Sequence, residues 1–235
     1  MTQALAYEGM SAFYGTSQIL HGMDFEVRPG EVVCLLGLNG MGKTTTLRAT
    51  MGLVDRTEGR ITLNGAALEG PTHKRSQMGV TLVPEDRKVF GNLTVEENLR
   101  VAVRKPAKGS GFGMDDAIRI FPRLGERLAQ KGGTLSGGEQ QMLVVARAML
   151  ANPSYMMLDE PTEGLAPSYV DAIREAIVAA RDLGIGILLV EQSLPLAQAV
   201  GDHFHIVENG QIVKSFTREE MLADPQRLAD MLTVE

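Results

Sequence analysis

Residues 37–44 read Gly-Leu-Asn-Gly-Met-Gly-Lys-Thr, which fits the pattern G-x-x-x-x-G-K-[ST]. Gly37, Gly40 and Gly42 let backbone N–H groups converge on an anion without Cβ clashes, and Leu38, Asn39 and Met41 lie within the same loop. A helix starting at the end of the loop adds partial positive charge. Lys43 would reach the β- and γ-phosphates of a nucleoside triphosphate, and the Thr44 hydroxyl would ligate Mg²⁺. Thr45 belongs to the same candidate site. The alternative is a glycine-rich turn with no ligand. The apolar run Val32–Leu36 ahead of the loop and the helix-forming KTTTLRATMGL behind it argue against that alternative.

A second cluster is acidic. Asp159 and Glu160 directly follow the apolar run Tyr-Met-Met-Leu at 155–158. Ligands of open α/β sheets bind at the carboxyl ends of the strands, where such a pair would stand. Asp159 suits Mg²⁺, directly or through water, and Glu160 can orient or deprotonate an attacking water. Helix capping or loop solvation is the competing reading, weakened by the phosphate loop in the same chain.

A third cluster is Leu135-Ser136-Gly137-Gly138-Glu139-Gln140. Ser136 and Glu139 have capping-box spacing. Capping needs neither glycine. Gly137 and Gly138 bare backbone N–H groups at the positive end of a helix, as an anion site requires. One triphosphate already has its cradle at 37–44, so a second anion site suggests that the two meet across a dimer.

These clusters need a frame to hold them. Strands are expected at 3–7, 19–28, Val32–Leu36, 60–63, 78–83, 155–158 and 185–190. Asn64-Gly65 signals a hairpin turn, and Asn209-Gly210 turns a hairpin at 205–213. Helices are expected at 43–53, at 94–103 with Thr94 and Glu97 at capping-box spacing, and at 115–121, 135–150, Pro167–Asp182, Leu194–Val200 and 218–232. Residues 105–114 read as loop. Strand–loop–helix units with a helical insert predict an α/β protein with a mostly parallel central sheet.

Composition agrees and narrows the function. The 235 residues are 44% hydrophobic and 22% charged, an ordinary globular balance. Net charge is −6, from 23 basic and 29 acidic residues, which makes a broad nucleic-acid surface unexpected. The single cysteine, Cys34, leaves no internal disulfide and suits a reducing compartment. No run of roughly 18 apolar residues suggests a membrane span, and the first residues do not read as a secretory signal.

The phosphate loop, LSGGEQ and YMMLDEP, in this order and spacing, resemble the nucleotide-binding subunit of ABC transporters across essentially the whole chain. The resemblance implies a RecA-like P-loop core, an antiparallel β-subdomain and a helical subdomain at about 90–150, together one domain over 1–235. It implies ATP and Mg²⁺ as ligands, and no GTPase-type N-K-x-D occurs. It also implies a head-to-tail dimer, with each ATP between one chain's phosphate loop and the other's Ser136-to-Glu139 segment.

The resemblance assigns further residues. Tyr14, in SAFYGTSQIL, matches the aromatic that stacks on adenine, with a core aromatic as the alternative. The position of the Q-loop glutamine, which senses Mg²⁺ and the permease, holds Glu85. The usual D-loop aspartate is replaced by Ala166, and the switch histidine by Gln192. Pro-Glu-x-Arg at 84–87, Gly-Leu-x-Pro at 164–167 and Val-Glu-Gln at 190–192 resemble the shorter ATPase of branched-chain amino-acid importers, as does the tail at 221–234. Urea or short amides are the alternative cargo. A soluble ABC ATPase acting on DNA or the ribosome is the alternative class. Lys88, Val89, Phe90 and Leu93 are candidates for permease docking. The implied partners are membrane permease subunits, a second and distinct ABC ATPase, and indirectly a periplasmic solute-binding protein, with no nucleic acid. The implied location is the cytoplasmic face of the plasma membrane.

Overall fold

The computed structural model describes residues 3–106, 111–192 and 194–223. β1 (Leu5–Tyr14) and β2 (Ser17–Val27) form a hairpin, and β3 (Val32–Leu36) runs into α1 (Lys43–Thr50). β4 (Arg56–Leu63), β5 (Ala66–Ala67), α2 (Thr72–Gln77) and β6 (Val80–Val83) follow. Next come α3 (Val95–Arg100), α4 (Met114–Ile120), α5 (Pro122–Gly125), a 3-10 turn at Gly132–Thr134 and α6 (Gly137–Leu150). β7 (Tyr155–Asp159), α7 (Pro167–Asp182), β8 (Gly186–Glu191), α8 (Leu194–Val200), β9 (His203–Glu208), β10 (Gln211–Thr217) and α9 (Arg218–Ala223) complete the described elements.

Every residue of β3, β7 and β8 is buried, because the sheet that they build is covered on both faces. Alternate side chains feed two cores. Cys34, Leu36, Met156, Leu158, Ile187 and Leu189 pack among the helices. Val33, Leu35, Met157, Leu188 and Val190 pack with side chains of the smaller sheet. Such strands read as unbroken apolar runs, not as alternation. Truncating one of these side chains, as in Leu35→Ala, removes about 2–5 kcal/mol.

The larger sheet has the order β10-β9-β3-β8-β7-β6, with β10 antiparallel to β9 and the other pairs parallel. The smaller sheet, β2-β1-β4-β5, is antiparallel throughout. Because β3, β8, β7 and β6 are parallel neighbours, their carboxyl ends form one edge. Residues 37–44 leave β3 there, Gln192 leaves β8, Asp159 and Glu160 leave β7, and Glu85 follows β6.

Several expected boundaries shift. The strand expected at 3–7 runs to Tyr14, because Gly9, with φ 58°, carries it through an irregularity between Tyr7 and Met10. β4 starts at Arg56 rather than at 60. The strand expected from 78 starts at Val80, since Met78 caps α2, a helix that the sequence reading did not anticipate. The helix expected to 103 ends at Arg100, while its Thr94–Glu97 capping box forms as expected. The C-terminal hairpin extends to residues 203–217. The expected tail helix is seen over Arg218–Ala223; its remainder, most of the tail motif and residues 107–110 of the expected loop lie outside the described residues.

Candidate active site

Gly42 is the N-cap of α1 and has φ 100°, a conformation that a side chain would strain. A Cβ there would also lie 2.6 Å from Leu20 Cδ2. The loop tip is held from the other side: Gly210 N–H donates to the Met41 carbonyl at 3.0 Å and Asn209 N–H to Met41 Sδ at 3.3 Å. The hairpin β9–β10 thereby fixes the loop against the sheet.

Lys43 is buried, and its ammonium donates to the carbonyls of Gly37 at 2.7 Å and Leu38 at 3.0 Å. It also lies 3.4 Å from Glu160 Oε1. The Thr44 hydroxyl donates to Asp159 Oδ1 at 3.0 Å. The two sequence motifs, 115 residues apart, therefore meet through two side-chain pairs. Thr45, half-buried, follows in the first turn of α1.

Burial raises the Asp159 ionisation to about 6, helped by the charges of Glu85 and Glu160; the Thr44 hydrogen bond and Arg48 oppose this. A buried carboxylate facing two others gains from a nearby cation. Thr44 Oγ1 and Asp159 Oδ1 are hard oxygen donors, which fit Mg²⁺. Among the described residues no cluster of three or more His, Cys, Asp or Glu is suited to a metal.

Glu160 has φ 44°, the left-handed region, which is uncommon for a residue with a side chain. Its N–H donates to the Val190 carbonyl at 2.9 Å, and its carbonyl accepts from Glu163 N–H at 3.2 Å. A tight turn thus leaves β7 at Glu160 and aims its carboxylate at Lys43. Gln192 is exposed and shares a groove of about 580 Å³ with Glu160, Thr162, Glu163 and Glu191. Glu85 is exposed in a second groove of about 920 Å³, whose lining also includes Asp159, Arg48 and Lys88. Val89 packs onto the helical core, Leu93 is half-buried, and Phe90 is exposed with the Arg147 guanidinium 4.1 Å from its ring centre.

Tyr14 ends β1 and is half-buried, and its phenol oxygen is buried with no hydrogen-bond partner among the described residues. Leu20, which touches Gly42, pairs with Ala12, two residues before Tyr14. The hairpin carrying Tyr14 therefore stands beside the phosphate loop.

Ser136 caps α6, and the capping box with Glu139 is complete. Burial pushes the Glu139 carboxyl up, but hydrogen bonds from Ser136 and the Arg127 guanidinium, 2.7 Å away, hold it below the usual range. Among the described residues no hydrogen bond or ion pair joins 136–139 to 37–44 of the same chain. The two glycines have a packing role that the sequence reading missed. A Cβ on Gly138 would lie 2.5 Å from the Tyr169 ring, and one on Gly137 3.0 Å from Arg87 Nη1. Ala166, the N-cap of α7, supplies no side-chain cap.

Other residues of the site also escaped the sequence reading. Glu191, buried at the end of β8, accepts from the Thr162 hydroxyl at 2.8 Å. Tyr169 lies 3.5 Å from the Ser136 hydroxyl and accepts from Arg123 at 3.2 Å. An acid ending an apolar strand was the one available signal for Glu191.

The sequence profile of the ABC transporter family matches residues 20–163. The high-affinity branched-chain amino acid transport ATP-binding protein BraG of Pseudomonas aeruginosa is 40% identical over 224 residues, covering 94% of this chain and 96% of that protein. The lipopolysaccharide export system ATP-binding protein LptB of Haemophilus influenzae is 33% identical over 227 residues, covering 94% of each. A solved ATP-binding subunit of an ABC transporter superposes with a TM-score of 0.78 at 31% identity, covering 99% of this chain and 95% of that one. Among the described residues no helix is long and apolar enough to cross a membrane. With a profile match over residues 20–163 and 40% identity covering nearly all of both chains, the chain belongs to the ABC transporter family, as an ATP-hydrolysing subunit of a transporter.

Proposed function

We propose that this chain powers the uptake of branched-chain amino acids. The observation that carries the reading is the 40% identity to BraG over nearly the full length of both chains, against 33% to LptB, an export protein. The residues at 84–87, 164–167 and 190–192 support it. Residues 1–235 act as one ATPase domain, with about 90–150 as its helical subdomain.

In the proposed reaction ATP is the substrate. The N–H groups of 37–44 hold its phosphates and Lys43 exchanges the Gly37 and Leu38 carbonyls for phosphate oxygens. Tyr14 stacks on the adenine. Thr44 and Asp159 would hold Mg²⁺, with Glu85 nearby, and the ion would supply neutralisation of the phosphate charge. Glu160 takes a proton from the attacking water, and the Gln192 amide positions the γ-phosphate. A neutral amide cannot become cationic as histidine can, so Gln192 orients without charging. Ser136, Gly137, Gly138 and Glu139 serve the ATP on another chain.

The partners are membrane permease subunits and a second, distinct ATPase; a periplasmic binding protein acts indirectly and nucleic acid has no part. The subunit sits on the cytoplasmic face of the membrane through its permease, with residues 88–93 beside the docking groove. The test is uptake of labelled leucine, isoleucine and valine by cells deleted for this chain, alongside urea and acetamide. Loss of the three amino acids alone is expected. Unchanged amino-acid uptake with loss of another solute, or an export defect, would replace the cargo and leave the ATPase intact.

A further inference from the structure

Arg87 links three segments that the proposed chemistry uses separately. Its guanidinium Nη2 donates to the carbonyl of Glu163. Its Nη1 occupies the space over Gly137, at the start of α6, where a Cβ would come within 3.0 Å. A Cβ built on Gly164 would lie 3.9 Å from Nη2. Arg87 itself has φ 50°, a left-handed backbone that a non-glycine residue keeps only when its surroundings hold it there. The loop beyond is tied down as well, since Arg147 of α6 donates to the Lys88 carbonyl at 3.2 Å.

The carbonyl that Arg87 holds closes the turn that carries Glu160. Glu163 N–H bonds the Glu160 carbonyl, and Glu160 N–H bonds Val190. Thr162, between them, is fixed to Glu191. The turn is thus pinned to β8 at its entry and to the 85–90 loop at its exit. We propose that Arg87 is a positioning residue: it sets the Glu160–Gly164 turn, and with it the Glu160 carboxylate, according to where the 85–90 loop and the start of α6 stand. The proposal rests on reading Glu160 as the base. A guanidinium suits this role because its planar fork serves a carbonyl with one nitrogen and packs on a glycine with another.

The test compares Arg87→Ala, Arg87→Lys, Gly137→Ala and the Arg87→Ala/Gly137→Ala double variant in the reconstituted transporter, with thermal melts as a check of folding. Arg87→Ala should lower kcat by about 10-fold, within the range that coupling residues command, and leave KM for ATP within about twofold. Arg87→Lys, which keeps one donor, should recover part of the loss. Gly137→Ala retains its N–H but pushes on Nη1, so it should cost turnover in the wild-type background and little more in Arg87→Ala. Unchanged kcat in Arg87→Ala overturns the proposal, as does a loss confined to KM. Equal cost of Gly137→Ala in both backgrounds also overturns it. Glu160→Gln run in parallel separates the two readings. If it hydrolyses ATP normally, Glu160 is not the base and the proposal falls with that assignment; if it is inactive while Arg87→Ala is normal, only the Arg87 role fails.

Discussion

Asp159→Asn should stabilise the protein while disabling it. In the folded chain the carboxyl ionises at about 6 instead of the ordinary 3.8, chiefly through burial, and then through the charges of Glu85 and Glu160. The folded state therefore binds this proton more tightly than the unfolded chain. The associated stability is complete below the unfolded value and is lost as pH rises through the folded one. At 1.36 kcal/mol for each tenfold change in proton affinity, the charged carboxylate penalises the fold by about 3 kcal/mol at pH 7 and about half that at pH 5. Asparagine removes the charge, and its carbonyl can still accept from Thr44. Melting both proteins in EDTA without nucleotide should show the variant ahead by about 6–12 °C at pH 7, given about 2–4 °C per kcal/mol for a chain of this size. The gap should narrow toward pH 5. ATP with Mg²⁺ should raise the wild-type melting point more than the variant's, because a ligand stabilises only the state that binds it. Equal melting points at pH 7 in EDTA, or a gap that widens as pH falls, would refute the argument.

Lys43→Ala should lower turnover by about 10²–10³, the usual loss for one preorganised electrostatic contact, and wild-type turnover would remove Lys43 from the site. Glu160→Gln should bind ATP and barely hydrolyse it, and should accumulate as a nucleotide-bound dimer in size-exclusion with ATP; loss of ATP affinity would point to another base. Ser136→Arg should impair the site built on the partner's phosphate loop and leave the site on this chain's Lys43 able to close, as per-site nucleotide trapping would report. A fully active transporter with two copies of this chain and no second ATPase would sink the heterodimer.

The parts of the site that were legible in the sequence are those whose chemistry is local. The phosphate loop, the Asp159–Glu160 pair and the Ser136–Glu139 box each lie within eight consecutive residues or fewer, and strand or helix context can be read on either side. The pairing of Thr44 with Asp159 was accessible because both roles imply one metal. The contacts of Arg87 with Glu163 and of Tyr169 with Ser136 and Gly138 were not, since they join segments 76 and 33 residues apart with no shared pattern. Gly137 and Gly138 show the gap clearly: their spacing suggests exposed N–H groups, and only the packed structure adds a guanidinium and a ring in the Cβ positions. In the fold, the buried parallel strands announced themselves as apolar runs. α2 has no buried residue and so carries no apolar period to read. The sequence pattern ends β1 at residue 7, because an irregularity at Gly9 breaks the alternation that identifies a strand.

The position of β3 also governs the order in which a growing polypeptide can become an ATPase. This strand and the phosphate loop behind it leave the ribosome early, yet both of its neighbours in the sheet come late. Val32 aligns with Ile187 on one side and Val33 with His203 on the other, and the Val32 N–H finds its acceptor on Asp202, 170 residues away. The β1–β2 hairpin can pair at once, Tyr14 against Ser17, but β3 has no neighbour in its own sheet until β8 has emerged at about residue 191, and its second neighbour, β9, follows at about residue 206. Such long-range parallel pairing is slow, and it keeps the apolar strands exposed throughout synthesis. A chain that stops short of β8 therefore has its phosphate loop but not the sheet that would hold that loop in place.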